Sequence, residues 1–306
     1  MLDHPHYFDL SGFALIEITG NDAFAFLHGQ ITGDLNEINS RGWMFSAWCQ
    51  ANGRVICTFI VYRHNNSLFL ILPTAMKDRI IRRLSMFVLR ADVTIRDAGG
   101  DHALLGIFGI HIGDPEIPGP CTRTGKMLVA EPLVKLELWG LTPRCIIICK
   151  GDTPPRLLEK IRTLCKEGEM STWNLLDIEA GIPWITETTS EAFLPQMLNL
   201  DQIHGLSYQK SCYPGQEVIA RLHHRGELKR KMFLGTGHGD ILPSPGAALE
   251  RSDTGAKTGA VINVEHHPDG GYRVLVIADI HEASNLMRLQ GAQQTSISLQ
   301  PLHYPA

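Results

Sequence analysis

Residues 210–217 read Lys210-Ser211-Cys212-Tyr213-Pro214-Gly215-Gln216-Glu217. The Pro-Gly pair in this segment is typical of a turn, and a cysteine on a turn beside cations has more thiolate character than one in a core strand. Thiolate is the nucleophilic, metal-binding and oxidisable form of the side chain. We therefore predict a working thiol at Cys212, with Lys210 and Arg221 favouring its ionised form and with Gln216 and Glu217 holding the loop.

The alternative for Cys212 is a small buried residue, as most cysteines outside disulfides are. Cys145 and Cys149 show that pattern, because they flank three isoleucines on one face of an apolar strand. The remaining cysteines also lack polar neighbours and are expected in the core: Cys49, Cys57, Cys121 and Cys165.

Size and composition describe an ordinary globular protein. The 306 residues are 44% hydrophobic and 20% charged, which suits two or three units with their own cores. The formal net charge of -4 argues against whole-surface attraction to nucleic acid. Seven cysteines without a CxxC pair favour a reducing compartment, so we expect a cytoplasmic location. The sequence has neither a secretory signal nor an apolar run of about 20 residues, and no membrane association is predicted.

Several other site classes are not indicated. The pairs His223-His224 and His266-His267 point in different directions on any regular element, so no metal site is predicted. The chain has no GxSxG or GxxxxGK motif. A thiol hydrolase built on Cys212 would need a base, and nothing orients His204, His223 or His224 for that role.

Hydrophobic periodicity predicts three units. Residues 1–100 form an α+β unit with a strand at 13–19, a hairpin at Asn65-Asn66 and a helix over 74–89. Residues 101–229 form a second α+β unit with strands at 104–108, 127–139 and 144–149, a helix opened by Asp152-Thr153-Pro154 and another ending at Gly181. Residues 230–306 hold short strands and a hairpin at 269–271, which predict a small β-barrel.

The segment at 210–217 resembles the signature of the YgfZ family. The resemblance continues through Val218-Ile219-Ala220-Arg221 and includes residues 20–23, 29–34, 177–183 and 193–200. It implies the fold of the folate-dependent aminomethyltransferase (T-protein) of the glycine cleavage system, with three domains in a ring around a central folate site. Ser211 is one departure, because the family usually has glycine there, but the thiol is kept.

The resemblance also implies a site for tetrahydrofolate or another reduced folate. Phe13 and Trp173 match positions where bacterial YgfZ proteins carry aromatic folate contacts, and Glu179 matches the glutamate that holds the pterin in the transferase. The first position is commonly tryptophan in the family, so Phe13 keeps a stacking face and loses the indole N–H. The implied cofactor-binding set also includes Tyr213, Gln216 and Glu217. The helical pattern alone favours a core position for Trp173, on a stripe with Leu176 and Ala180.

The acid of the transferase is missing. The T-protein carries an Asp-Asp pair in the strand that corresponds to residues 53–60, and here Cys57 and Thr58 occupy those positions. Without that carboxylate, aminomethyl transfer has no evident proton acceptor. A shared fold does not carry shared chemistry, and we do not expect aminomethyltransferase activity.

The resemblance therefore implies a folate-binding accessory protein, expected to act as a monomer. It would support assembly or repair of iron–sulfur clusters together with the assembly machinery, and its client enzymes would include those that methylthiolate tRNA. The alternatives are a pure folate-binding adaptor and a folate-dependent one-carbon transferase with another substrate.

A basic segment with one opposing acid, Glu227, forms either a solvated face or a site for folate's glutamate tail, an RNA or an acidic partner. Its cations are Arg221, Arg225, Lys229, Arg230 and Lys231, without interleaved aromatic residues.

Overall fold

Two open sheets and a closed barrel organise the chain. The computed structural model describes residues 4–109, 126–140, 142–151, 155–238, 242–291 and 295–304. The predicted α+β class with a C-terminal barrel is confirmed by the sheets, which have five and six strands, and by closure of the last strands into the barrel. No helix in these ranges is both long and apolar enough to cross a bilayer.

The secondary structure contains 17 strands and six α-helices within the described ranges. The strands are β1 (His6–Asp9), β2 (Phe13–Thr19), β3 (Trp43–Cys49), β4 (Val55–His64), β5 (Ser67–Pro73), β6 (Thr94–Asp97), β7 (His102–Phe108), β8 (Met127–Ala130), β9 (Leu133–Leu138), β10 (Arg144–Lys150), β11 (Lys166–Gly168), β12 (Arg230–His238), β13 (Ala248–Arg251), β14 (Lys257–His266), β15 (Tyr272–Asp279), β16 (Met287–Leu289) and β17 (Ser296–Pro301). The helices are α1 (Ala23–His28), α2 (Ile38–Arg41), α3 (Lys77–Ser85), α4 (Pro155–Leu164), α5 (Met170–Glu179) and α6 (Gln216–Arg225).

The first sheet has the order β3-β4-β5-β2-β6. The predicted hairpin joins β4 to β5, and Asn65 adopts the left-handed φ of 53° that suits its turn. One face of the sheet packs on α1 and α3, and the other contributes to the large apolar cluster between the units. The helix predicted over 74–89 is shorter, because a 3-10 turn precedes α3 and a non-helical turn follows Ser85.

The second sheet has the order β11-β1-β7-β10-β9-β8. Its strand β1 comes from the N-terminus, runs antiparallel to β7 and parallel to β11, and so lies outside the sheet of the predicted first unit. The run predicted as strand over 127–139 is two strands, β8 and β9, joined by a turn. The proposed opening of α4 at 152–154 lies outside the described residues.

The barrel closes in the order β12-β15-β14-β13-β16-β17. The predicted hairpin at 269–271 connects β14 to β15. The short strands β13 and β16, absent from the prediction, complete the closure. They have four and three residues, too few to show a clear alternation in the sequence.

Helix α5 lies between the second sheet and the barrel, and its C-terminal end shapes the centre of the molecule. Gly181 takes a φ of 68°, and the N–H of Ile182 donates to the carbonyl of Asp177 at 2.9 Å. This left-handed cap reverses the chain after the helix. Residues 182–186 consequently return along α5 instead of leaving toward the surface.

Candidate functional site

A cavity of about 280 Å³ lies where the three units meet. Gly12 and Phe13 of the first unit, Asn174 on α5 and Asn263 on β14 are among its lining residues. The returning segment after α5 adds Trp184. Since every unit contributes to the wall, the cavity depends on the assembled chain.

Two aromatic rings form a corner of this wall. The ring centroids of Phe13 and Trp184 lie 4.8 Å apart with an interplanar angle of 60°. The Phe45 ring packs on Trp184 with centroids 5.3 Å apart. The amide of Asn263 accepts from the backbone N–H of Trp184 at 3.0 Å and donates to its carbonyl at 2.9 Å. Sequence reasoning missed Trp184, although its place directly after the segment at 177–183 was an available signal.

The structure places Trp173 in the core and not in the lining of this cavity. Its side chain is 1% exposed, with the Phe8 ring at 5.5 Å and the Arg144 guanidinium 4.9 Å from its ring centroid. Gly106 permits this packing, because a Cβ there would lie 2.6 Å from the indole. This burial agrees with the core position that the helical pattern favours, and the folate contact implied by the resemblance stays a prediction.

Glu179 also lies away from the cavity lining. Its Oε1 is 4.0 Å from both Arg273 Nε and His267 Nε2, so the side chain approaches the barrel residues instead. The carboxylate that lines the cavity belongs to Asp177, two residues earlier on α5 and absent from the predicted set. Neighbouring residues of a helix point in different directions, so the segment that carries the predicted Glu179 presents Asp177 to the cavity.

Asp177 is the centre of a buried polar network. It accepts hydrogen bonds from Arg144 Nη1 at 2.5 Å and from Trp184 Nε1 at 2.7 Å. Burial raises the pKa of Asp177, and its charge and hydrogen-bond contacts with Arg144 and Trp184 oppose this shift. The other terminal nitrogen of Arg144, Nη2, is buried without a hydrogen-bond partner. The cavity wall thus includes a carboxylate whose two oxygens are both engaged, while its partner Arg144 is not among the lining residues.

Cys212 is the exposed member of the cysteines that the structure describes. The core positions predicted for the others are confirmed by their burial: Cys49, Cys57, Cys145, Cys149 and Cys165. Burial raises the pKa of Cys149 to about 12, which disfavours its thiolate. Cys121 lies outside the described residues. The structure therefore presents Cys212 to solvent, where a partner can reach its thiol.

Lys210 is held by backbone carbonyls of a neighbouring loop. Its buried ammonium donates to the carbonyls of Ile31 at 2.8 Å and Gly33 at 2.9 Å, and also to the carbonyl of His28. An ammonium has three N–H donors, and these contacts use all of them, so none remains for Cys212. Burial lowers the pKa of Lys210 to about 8. The side chain anchors the loop at 28–33 to the motif.

The remaining motif residues contact the motif itself, its helix α6 or the turn after β3. Tyr213 is buried, and the long contact from Gln216 Nε2 to the carbonyl of Lys210 measures 3.5 Å. Glu217 accepts from Arg221 at 2.8 Å in an exposed ion pair one helical turn long. Gly215 has a φ of 85° and packs so closely on the turn after β3 that a Cβ would lie 2.5 Å from the carbonyl oxygen of Gln50. Of the predicted cofactor-binding residues, the structure brings Phe13 to the cavity and leaves these in the motif loop.

No cluster of three or more His, Cys, Asp or Glu side chains suited to a metal ion occurs within the described ranges.

Relatives share nearly the whole length of this chain. It is 30% identical over 302 residues to the tRNA-modifying protein YgfZ of Klebsiella pneumoniae, a match covering 96% of this chain and 91% of the relative. The YgfZ protein of Cronobacter sakazakii is 29% identical over 304 residues, covering 96% and 92%. The chain belongs to the YgfZ family. Residues 3–111 also match the GCVT N-terminal domain family.

The fold of this YgfZ-family chain matches a solved aminomethyltransferase. The glycine cleavage system aminomethyltransferase T of Bartonella henselae superposes with a TM-score of 0.78 at 14% identity, covering 98% of this chain and 86% of that one. The likeness confirms the predicted T-protein-like fold and carries no statement about chemistry.

Thr58, which the resemblance places at the transferase acid, has a structural role. Its hydroxyl donates to the carbonyl of Pro183 at 2.6 Å and accepts from the N–H of Ile185 at 3.0 Å. These bonds tie β4 to the returning segment that carries Trp184. In this YgfZ-family chain the position therefore helps to build the cavity, while Cys57 faces the opposite side of the sheet.

The basic segment is only partly available to a ligand. Arg221 is paired with Glu217, and Lys231 Nζ lies 5.2 Å from the centroid of the Phe233 ring. Beside this segment the Tyr208 ring stacks on His223, with ring centroids 3.8 Å apart. The exposed cations of the segment are thus concentrated at the end of α6 and directly after it.

Proposed function

We propose that this YgfZ-family chain binds a reduced folate in the cavity between its three units and supports assembly or repair of iron–sulfur clusters in client enzymes. The clients would include the enzymes that methylthiolate tRNA, in keeping with the names of its relatives. The observation that carries the folate part is the shared cavity with its aromatic corner of Phe13 and Trp184. The protein would act as a cytoplasmic monomer.

The cavity residues fit a pterin. The volume of about 280 Å³ is at the low end of small-molecule sites, which suits one flat ring system with the rest of the folate outside. A pterin needs an apolar face together with donors and acceptors on its edge. Phe13 offers the face, and the side-chain oxygen of Asn174 offers an acceptor.

The folate site is tested by calorimetric titration with tetrahydrofolate under reducing conditions. We expect micromolar binding by the unchanged protein and at least tenfold weaker binding by Phe13→Ala, because the substitution removes a ring from the cavity wall. Trp173→Ala is a poor test, since loss of this buried ring would disturb the fold itself.

Arg63→Ala is the matched control for that titration. Arg63 lines a separate open groove on the first unit, where a cation could attract an anionic folate nonspecifically. Equal weakening by both substitutions, or no binding by the unchanged protein, would remove the folate part of the proposal.

Cys212 is proposed as the working thiol, because it combines exposure with a loop that Lys210 and Gly215 hold in place. Cys212→Ser is expected to reduce tRNA methylthiolation in cells to the level found without the protein. Mass spectrometry of digested tRNA measures that fraction. Ser211→Ala, an exposed neighbour in the same loop, should leave it unchanged.

Preserved methylthiolation in Cys212→Ser with loss in Phe13→Ala would instead favour a folate-binding adaptor without thiol chemistry. The link to tRNA is proposed to pass through the client enzymes. The folate-dependent one-carbon transferase receives no support from Thr58, whose hydroxyl is engaged by the backbone on both sides.

A further inference from the structure

Three large apolar side chains are exposed within four consecutive residues after α3. Met86 is 63% exposed, Phe87 47% and Leu89 90%. We refer to residues 86–89 as the 86–89 patch. Single exposed apolar residues are common on protein surfaces, whereas a contiguous group of them marks interaction sites.

The conformation of Leu89 gives no benefit within the chain. Its φ is 49°, in the left-handed region that is unfavourable for an L-residue with a side chain. A leucine that is 90% exposed gains little burial in return. The strained backbone displays an apolar side chain to solvent, and such strain concentrates at functional positions.

The base of the patch is fixed to the first sheet. The Phe87 ring packs on the Trp48 ring with centroids 5.9 Å apart. The Arg83 guanidinium also contacts Trp48, 5.7 Å from the centroid of its ring. Arg83 also donates to Glu191 at 2.5 Å. The patch is therefore a supported surface feature, preorganised for a partner.

Two exposed arginines flank the patch. Arg82 precedes it and Arg90 follows it, and neither forms an ion pair or side-chain hydrogen bond with the part of the chain that the structure describes. Arginine favours planar pairing with carboxylates. Apolar side chains between two available guanidinium groups suit a partner that alternates apolar and acidic residues.

A short series of contacts connects the patch to the thiol loop. Phe87 packs on Trp48, and Trp48 forms a β-bridge with Ile31. The carbonyl of Ile31 accepts from Lys210, two residues before Cys212. A protein bound at the patch would thus contact the same unit that anchors the exposed thiol.

We propose that the 86–89 patch, with Arg82 and Arg90, is a docking site for an acidic and apolar segment of the client protein. The proposal rests on the proposed function, which supplies the client. An anionic membrane surface fits less well, because the patch offers only two flanking cations, whereas surfaces that bind anionic lipids carry clusters of about four to eight.

Biolayer interferometry with a purified radical enzyme that methylthiolates tRNA tests the docking site. We expect Leu89→Asp to weaken binding at least tenfold, since it places a carboxylate where an apolar contact forms. Arg82→Glu with Arg90→Glu should weaken binding similarly and reduce its dependence on salt. Leu286→Asp is the matched control, because Leu286 is 51% exposed on the barrel, and it should leave binding unchanged.

Other outcomes would overturn the docking proposal. Equal binding by the unchanged protein and Leu89→Asp would show that the client docks elsewhere, and no binding by either would exclude this client class. Binding to phosphatidylserine vesicles that Leu89→Asp abolishes would assign the patch to a membrane. A concentration-dependent dimer in light scattering, lost in the same variant, would assign it to a second copy. Folate titration and the methylthiolation assay of Cys212→Ser test the proposed function independently of this docking site, so failure of one proposal can be told from failure of the other.

Discussion

Asp177→Asn is expected to lower the free energy of unfolding by about 3–5 kcal/mol, because it leaves the buried guanidinium of Arg144 without its counter-ion. The asparagine can still accept from Trp184, so the loss reports chiefly on the ion pair. Urea denaturation followed by circular dichroism measures the change as a lower midpoint.

Glu179→Gln is the matched control on the same helix. Its carboxylate is partly exposed and 4.0 Å from its cationic neighbours, so the midpoint should hardly move. The double substitution Arg144→Leu with Asp177→Leu should destabilise less than Asp177→Asn, since apolar replacement of a whole buried pair removes the unpaired charge. A small effect of Asp177→Asn would show that solvent reaches Arg144 and that the network of Asp177, Arg144 and Trp184 is not buried.

Lys210→Met is expected to cost about 2–4 kcal/mol of unfolding free energy. The substitution leaves the carbonyls of His28, Ile31 and Gly33 without their shared donor, and buried acceptors without partners are costly. Methionine has a length similar to that of lysine, so the substitution leaves little empty space at position 210. Urea midpoints of the two proteins at pH 7 measure the difference, and Lys229→Met, at an exposed lysine, is the control.

The same pair of proteins should differ in pH dependence. Burial lowers the pKa of Lys210 from its ordinary 10.5 to about 8, so the native state binds fewer protons than the unfolded state between those values. The free energy of unfolding therefore rises with pH across this window by the amount that Lys210 contributes. Lys210→Met removes that contribution, and its deficit relative to the unchanged protein should be larger at pH 9.5 than at pH 7.5. Identical pH profiles would contradict the assigned burial of the ammonium.

Local signals in the sequence were sufficient for much of the fold. The turns at Asn65-Asn66 and at 269–271 are encoded by adjacent residues, and both hairpins form as predicted. The helix α5 follows the predicted apolar stripe and ends near Gly181 as expected. The unit bounds 1–100, 101–229 and 230–306 remain a prediction.

The positions of two tryptophans depend on residues far away in the sequence. Trp184 faces the cavity, and Asn263, 79 residues away, holds its backbone there. Trp173 is buried because Gly106 leaves room for the indole. Neither partner is near in sequence, so helical periodicity could only suggest the core position of Trp173.

Lys210 illustrates the same limit for a motif. Its sequence position beside Cys212 suggested an electrostatic role, whereas its donors reach carbonyls 177 to 182 residues away. A motif can therefore mark an anchoring contact as readily as a reactive centre. The exposure of Cys212 was the part of the motif that local turn signals could indicate.

The position of β1 also determines the order in which the protein can be completed during synthesis. His6 pairs with Phe108 and with Lys166, so its partners leave the ribosome 102 and 160 residues later. At about 5–20 residues per second, the N-terminal strand waits roughly 5–20 s for its first neighbour. Throughout that interval Phe8, which is fully buried in the finished protein, has no sheet to cover it. The nascent chain thus carries an uncovered phenylalanine until the second sheet has been synthesised.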